Sequence, residues 1–139
     1  MPPSFREILT DRLGRDLQLP RLGQELLPTA SGDWPSVEGS ANLQAAIERR
    51  PTIQRGEIRH RPEVGGNLPS AVGDPQHPTN QAATAVFARN DLLQDRRIGD
   101  VDVRVSTDPA QPTQTLYDFA VRPAGADDLD VVQARVRGT

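Results

Sequence analysis

Residues Arg55 to Pro69 read RGEIRHRPEVGGNLP. Glu57, His60 and Glu63 lie there among Arg55, Arg59 and Arg61. These residue types can hold a metal, move a proton or lock into ion pairs. Glu57 and His60 stand three apart, the Glu-x-x-His spacing that helical di-metal carboxylate sites use. That chemistry needs a helix and a second copy of the motif. Pro62 and Gly65–Gly66 interrupt any helix here, and the sequence has no second copy. The other histidine, His77, sits in a proline-rich loop. No metal site is expected.

Acid–base catalysis fares no better. Glycoside hydrolysis needs two carboxylates at a set separation, one kept protonated by its surroundings. Glu25, Glu38, Glu48, Glu57 and Glu63 are available, but spacing singles out none. The G-x-S-x-G elbow, the G-x-x-x-x-G-K phosphate loop and the G-x-G-x-x-G turn are all absent. With no cysteine, thiolate chemistry and disulfides are excluded. The expectation is a protein without an active site or cofactor. Arg55–Pro69 then reads as a shaped loop. Gly56 can take a positive φ, Gly65–Gly66 can bend sharply, and Pro62 stiffens the piece between them. Glu57 and Glu63 are expected to pair with the nearby arginines. Such a loop is a platform for a neighbour or a strut in its own fold.

The chain has 139 residues, a length that suits one domain with a modest core. Its 13 prolines are roughly twice the usual share of about 5%, so long stiffened loops are expected. All 16 basic residues are arginine, which a GC-rich genome explains most simply; the planar fork of arginine also suits lasting interfaces with carboxylates. The net charge is −3 and the aromatics are three Phe, one Tyr and one Trp, which argues against a nucleic-acid binder. No run approaches the roughly 18 apolar residues of a membrane span. The N-terminus lacks the charged start and apolar stretch of a signal peptide, so synthesis and assembly in the cytoplasm are expected.

The elements needed to position the loop follow from periodicity. Residues 4–14 suit a short helix, with Ser4 and Glu7 as a capping box. An irregular arm follows, with Leu17, Leu19, Leu22, Leu26, Leu27 and Trp34 as packing anchors. SANLQAAIERRP reads as a helix capped by Ser40 and ended by Pro51, with Leu43, Ala46, Ile47 and Arg50 on one side. TNQAATAVFARNDLLQDRR reads as the second main helix, capped by Thr79 or Asn80. Ala83, Val86, Phe87 and Leu93 make its apolar stripe, which Asn90 interrupts. The period then changes to two. Val101, Val103 and Val105 oppose Asp100, Asp102, Arg104 and Ser106. After the turn DPAQP, TQTLYDFAVRP places Thr115, Tyr117, Phe119 and Val121 on one face. LDVVQARVR places Val132, Ala134 and Val136 in a third strand. Helices first and antiparallel strands last predict an α+β fold. The division expected is an arm over 1–39 and an α+β portion over 40–139, one domain overall.

NLQAAIERRPTIQRGEIRHRPEVGGNL resembles the signature of the contractile-tail baseplate wedge family. That family is often called lysozyme-like and has relatives in type VI secretion and extracellular contractile injection systems. Asn42-Leu43, Gly56-Glu57-Ile58, His60, Pro62, Gly65 and Leu68 match its pattern. Thr52 sits one position early, and Val64 replaces the usual aromatic. Further on, the family has a Glu-Pro-Arg motif after a helix and then an alternating hairpin. By position Asp95 stands for the glutamate and Arg97 for the arginine, while Arg96 replaces the proline. The resemblance covers residues 40–123.

What the resemblance implies is structural. The fold would be like the handshake domain of the tail sheath protein, with the helices packed on a C-terminal hairpin or three-stranded sheet. The chain would sit in a virion tail baseplate or injection-system particle, in six copies. It would start sheath assembly by offering a sheet edge to sheath strands. Its partners would be the tail sheath protein, the large baseplate wedge proteins and tube or hub proteins, without nucleic acid or membrane insertion. Asn42, Leu43, Gly56, Glu57, His60, Pro62, Gly65, Asp95 and Arg97, with Val101, Val103, Val105, Tyr117 and Phe119, would form its interface and core motifs. The alternatives are a peptidoglycan hydrolase and a small adaptor elsewhere in a tail.

Overall fold

A computed structural model describes residues 11–20, 24–71, 73, 77–125 and 131–138. The chain divides into two compact units, Met1–Ala45 and Ala46–Thr139. Of the helix expected over 4–14, residues 4–10 lie outside the described residues and 11–13 are helical.

In the first unit β1 (Arg15–Leu17) pairs antiparallel with β2 (Ser36–Glu38), Arg15 opposite Glu38. The Arg15 guanidinium donates to Ser36 Oγ at 2.6 and 2.8 Å. Strands of three residues carry no readable alternation, so the ribbon was hidden in what read as an irregular arm. β2 runs directly into α1 (Gly39–Arg49). Gly39 makes the corner at φ +63°, and its N–H donates to the Gly14 carbonyl at 3.2 Å. Ser40, the expected cap, therefore lies inside the helix. The buried Asn42 amide donates to the Leu13 carbonyl at 3.0 Å, beside the buried Leu13 and Leu43. The expected anchors differ. Trp34 is 52% exposed, and Leu17, Leu19 and Leu27 are exposed as well. Leu22 lies outside the described residues.

In the second unit α1 ends in a 3₁₀ turn, Arg50–Thr52, which buries Pro51. A second 3₁₀ turn, Leu68–Ala71, precedes α2 (Pro78–Leu92). Three antiparallel strands then form one sheet in the order β3 (Ile98–Asp108), β4 (Gln111–Pro123), β5 (Val132–Gly138). The fold is α+β, as the change of period requires. Asp108 closes the β3–β4 hairpin by accepting the Ala110 N–H at 2.9 Å, an aspartate turn next to Pro109. Val101 faces Val121, Val103 faces Phe119 and Val105 faces Tyr117 across β3 and β4. Ala134 and Val136 continue that face on β5, opposite Phe119 and Tyr117. Phe119 and Val121 are fully buried. Burying each such side chain contributes about 1.5–3 kcal/mol.

α2 packs on β3 and departs from expectation in two ways. Its cap is His77, whose Nδ1 accepts the Thr79 N–H at 3.3 Å, with Pro78 in the first helical position. Its inward stripe is Thr84, Ala85, Ala88, Asp91 and Leu92, at helical spacing. Val86 and Phe87, the expected core residues, are 57% and 53% exposed. Polar Thr84 and Asp91 can face inward because both find partners there: the Tyr117 side chain for Thr84, and the loop for Asp91.

Candidate interface at the glycine–proline loop and the sheet

The loop between Ile53 and Leu68 closes on itself. Gln54 and Gly66 form a parallel bridge, and Gly66 N–H donates to the Ile53 carbonyl at 2.8 Å. Gly56, at φ +87°, donates to the Pro62 carbonyl at 3.1 Å. Successive turns place Arg61 N–H on Ile58 and Val64 N–H on Arg61. Gly65 adopts φ +124°, and a Cβ there would meet the Ile53 carbonyl oxygen at 2.6 Å. Only glycine fits that position. A compact loop whose ends meet is an Ω-type surface loop, a shape often used for function.

The loop is anchored by a residue that the sequence reading missed. Asp91, with only 4% of its side chain exposed, accepts Arg55 Nη2 at 2.5 Å and Asn67 N–H at 3.0 Å. One carboxylate on the last turn of α2 thus holds both limbs of the loop. Glu57 does not pair with an arginine as expected. Its carboxylate accepts the Gln54 N–H at 3.0 Å and caps the first turn. Glu63 does pair with Arg61, at 3.3 Å, on the exposed tip. His60 is exposed, three residues from a Glu57 already occupied by backbone. Among the described residues no group of three or more metal-ligating side chains gathers.

The second arrangement follows α2 directly. Asp95 accepts Arg97 N–H at 3.0 Å and Arg97 Nη2 at 2.7 Å, and Arg50 Nη1 approaches at 3.6 Å. Burial pushes the Asp95 carboxyl up. The Arg97 hydrogen bonds and the two guanidinium charges outweigh it, and its pKa falls below the ordinary value. The acid–arginine pair inferred at these positions is thus a bidentate contact, although proline is missing between them.

The sheet presents two unlike faces. Tyr117 and Phe119 lie with Val101, Val103 and Val105 on the face towards α2, and burial raises the Tyr117 pKa against the opposing effect of the Thr84 hydrogen bond. The other face carries Asp100, Asp102, Arg104, Asp118, Arg122 and Arg135. Cross-strand neighbours there are of opposite sign: Asp100 faces Arg122, and Asp118 faces Arg104 on one side and Arg135 on the other. Arg135 Nε donates to Asp118 at 2.5 Å. A cavity of about 330 Å³ lies elsewhere, between α2 and the second 3₁₀ turn, walled by Asn67, Ser70, Asn80, Ala83 and Phe87.

The expected site residues therefore fall into separate places. Gly56, Glu57, Pro62 and Gly65 build the closed loop, with His60 on its surface. Asp95 and Arg97 join Arg50. The valines, Tyr117 and Phe119 make the inner sheet face. Asn42 and Leu43 belong to the first unit.

No family model matches the chain, and no curated protein matches its sequence. Its structure is similar to a crystal structure from Geobacter sulfurreducens, that of a protein provisionally named as a tail lysozyme. The TM-score is 0.61 at 17% identity, over 82% of this chain and 94% of that one. The likeness is one of fold.

Proposed function

We propose that the chain is a structural component of a contractile-tail baseplate wedge that initiates sheath assembly by offering a sheet edge to sheath strands. The observation that carries this reading is the C-terminal antiparallel sheet, which ends in a strand unpaired on one side among the described residues. Two further observations support it. The fold is shared with a protein named for a tail. The residues of the wedge-like signature build one closed loop and one bidentate acid–arginine pair.

The neighbour's name raises peptidoglycan hydrolysis as a second reading. That reaction needs a carboxyl held protonated near neutral pH. Glu63, Asp95 and Asp100 are pushed the opposite way, by backbone hydrogen bonds and arginines. These three carboxyls do not supply that acid.

It is tested with Arg97→Ala in the intact gene cluster. The expected result is loss of wedge and tail assembly while the isolated chain stays folded. Normal tails with that substitution would contradict the role given to the Asp95–Arg97 pair. A muralytic assay with Glu57→Gln and Glu63→Gln tests the alternative. Activity lost in either variant would replace the structural reading with the enzymatic one.

A further inference from the structure

The sheet has two outer strands, and they are not equivalent. The Val101 carbonyl on β3 accepts Arg89 Nε at 2.9 Å. The neighbouring Asp100 carboxylate accepts Arg89 Nη2 at 2.9 Å. The Val101 carbonyl thus points away from β4 and is bound by a side chain, and in an antiparallel ladder the N–H of the same residue turns the same way. Register shifts at Ile98/Asp100 and at Thr107/Asp108 break the regular ladder at both ends of β3. Side chains and irregularities of this kind are how proteins blunt an edge.

The same geometry fixes β5. Residues of an antiparallel ladder alternate between groups turned towards the partner strand and groups turned away. Val101 stands opposite Val121, and Val121 opposite Val132. Since Val101 turns outward, Val121 turns its groups to β5 and pairs with Val132. Ala134 and Val136 pair with β4 likewise. Gln133, Arg135 and Arg137 then direct their N–H and C=O groups outward. Among the described residues no backbone hydrogen bond reaches them. β5 has no proline, and its register with β4 runs without a shift.

We infer that β5 is the open edge, and that it takes one extended strand from a partner protein with apolar and acidic side chains in alternation. The inference rests on the strand-addition reading above and assigns its edge. The chemistry comes from the two faces of β5. Val132, Ala134 and Val136 extend the apolar face. Gln133, Arg135 and Arg137 line the other, with two cations and no acid. An added strand continues both rows, so acidic residues meet the arginines and apolar ones meet the valines. β5 of a second copy would bring two more arginines to the same row, where like charges repel.

The test uses the full chain, ¹⁵N-labelled, with a synthetic octapeptide of alternating valine and glutamate. Amide exchange is read by NMR. The expected result is at least tenfold slower exchange at Gln133, Arg135 and Arg137, with Val103 and Val105 unchanged. Protection at Val103 and Val105 instead, or none at β5 with millimolar peptide, would overturn the assignment. A valine–lysine peptide of the same length should protect β5 less. Equal protection would overturn the acidic specification. Gln133→Pro removes one outward N–H and spares the ladder to β4, so it should abolish the protection. If that variant loses the sheet, Arg137→Glu serves, because it should shift preference towards the lysine peptide; unchanged preference counts against the proposal. The wedge reading fails separately. β5 protection by peptide, without sheath protein co-purifying from the native cluster, defeats the wedge reading alone. Sheath protein co-purifying, without β5 protection, defeats the edge assignment alone.

Discussion

Arginine meets carboxylate both at the end of α2 and on the outer face of the sheet, at the same shortest distance. Arg55–Asp91 and Arg135–Asp118 are each 2.5 Å. Their surroundings differ. The Asp91 side chain is 4% exposed and also holds a backbone N–H, whereas Asp118 is 39% exposed beside an Arg135 that is 62% exposed. Distance therefore says little about what each pair contributes. A buried carboxylate stripped of its partners, or partners stripped of it, costs several kcal/mol, while exposed pairs are screened and contribute little. The first setting shapes a loop, and the second keeps a sheet face solvated.

The largest effect should come from Asp91→Ala. It frees Arg55 and leaves the Asn67 N–H without its acceptor. Arg55 is partly exposed and can regain water, so the expected loss is about 3 kcal/mol, at the low end for a broken buried pair. Urea unfolding checks it. A loss no larger than that of Arg135→Ala would break the contrast between the regions.

Gly66→Ala comes next. Its Cβ would lie 3.0 Å from Pro51 Cα and 3.3 Å from Asp91 Oδ2. Crowding there should cost about 1–3 kcal/mol, read from the thermal midpoint. No change in midpoint would mean the loop is looser than its closed hydrogen bonding implies.

Asp95→Asn should cost about 2 kcal/mol at neutral pH, since it weakens charged hydrogen bonds from Arg97. The folded pKa of Asp95 is lowered. Its stabilisation is therefore complete above the unfolded value of about 3.9 and is lost as pH falls through the lower folded value. Wild type and variant should converge in acid. A gap that persists in acid would mean that the loss at neutral pH is not electrostatic. The smallest effect is expected from Arg135→Ala, a change close to the scatter of the measurement and reduced further by salt.

The same contrast explains what could be seen in the sequence. Period-two alternation exposed the three strands, because one face of each is buried and the other charged. Leu43 and Ile47 marked the buried side of α1 for the same reason. α2 misled, because its inward stripe contains Thr84 and Asp91 while Val86 and Phe87 lie outside. Nothing local marks Asp91 as buried. Its partner Arg55 lies 36 residues earlier, in a loop whose shape had to be known first. Gly65 and Gly56 were legible as turn-makers, since few other residues take a positive φ. The Asp95–Arg97 pair was suggested by resemblance alone, and its contact with Arg50 by nothing in the local pattern.

The proposed function is to join a baseplate and receive sheath strands. The most direct measurement is a tagged purification from cells expressing the native gene cluster, with mass spectrometry of the proteins that accompany it. Sheath protein and large wedge proteins in the eluate are the predicted result. The chain recovered alone, as a monomer, would contradict the account.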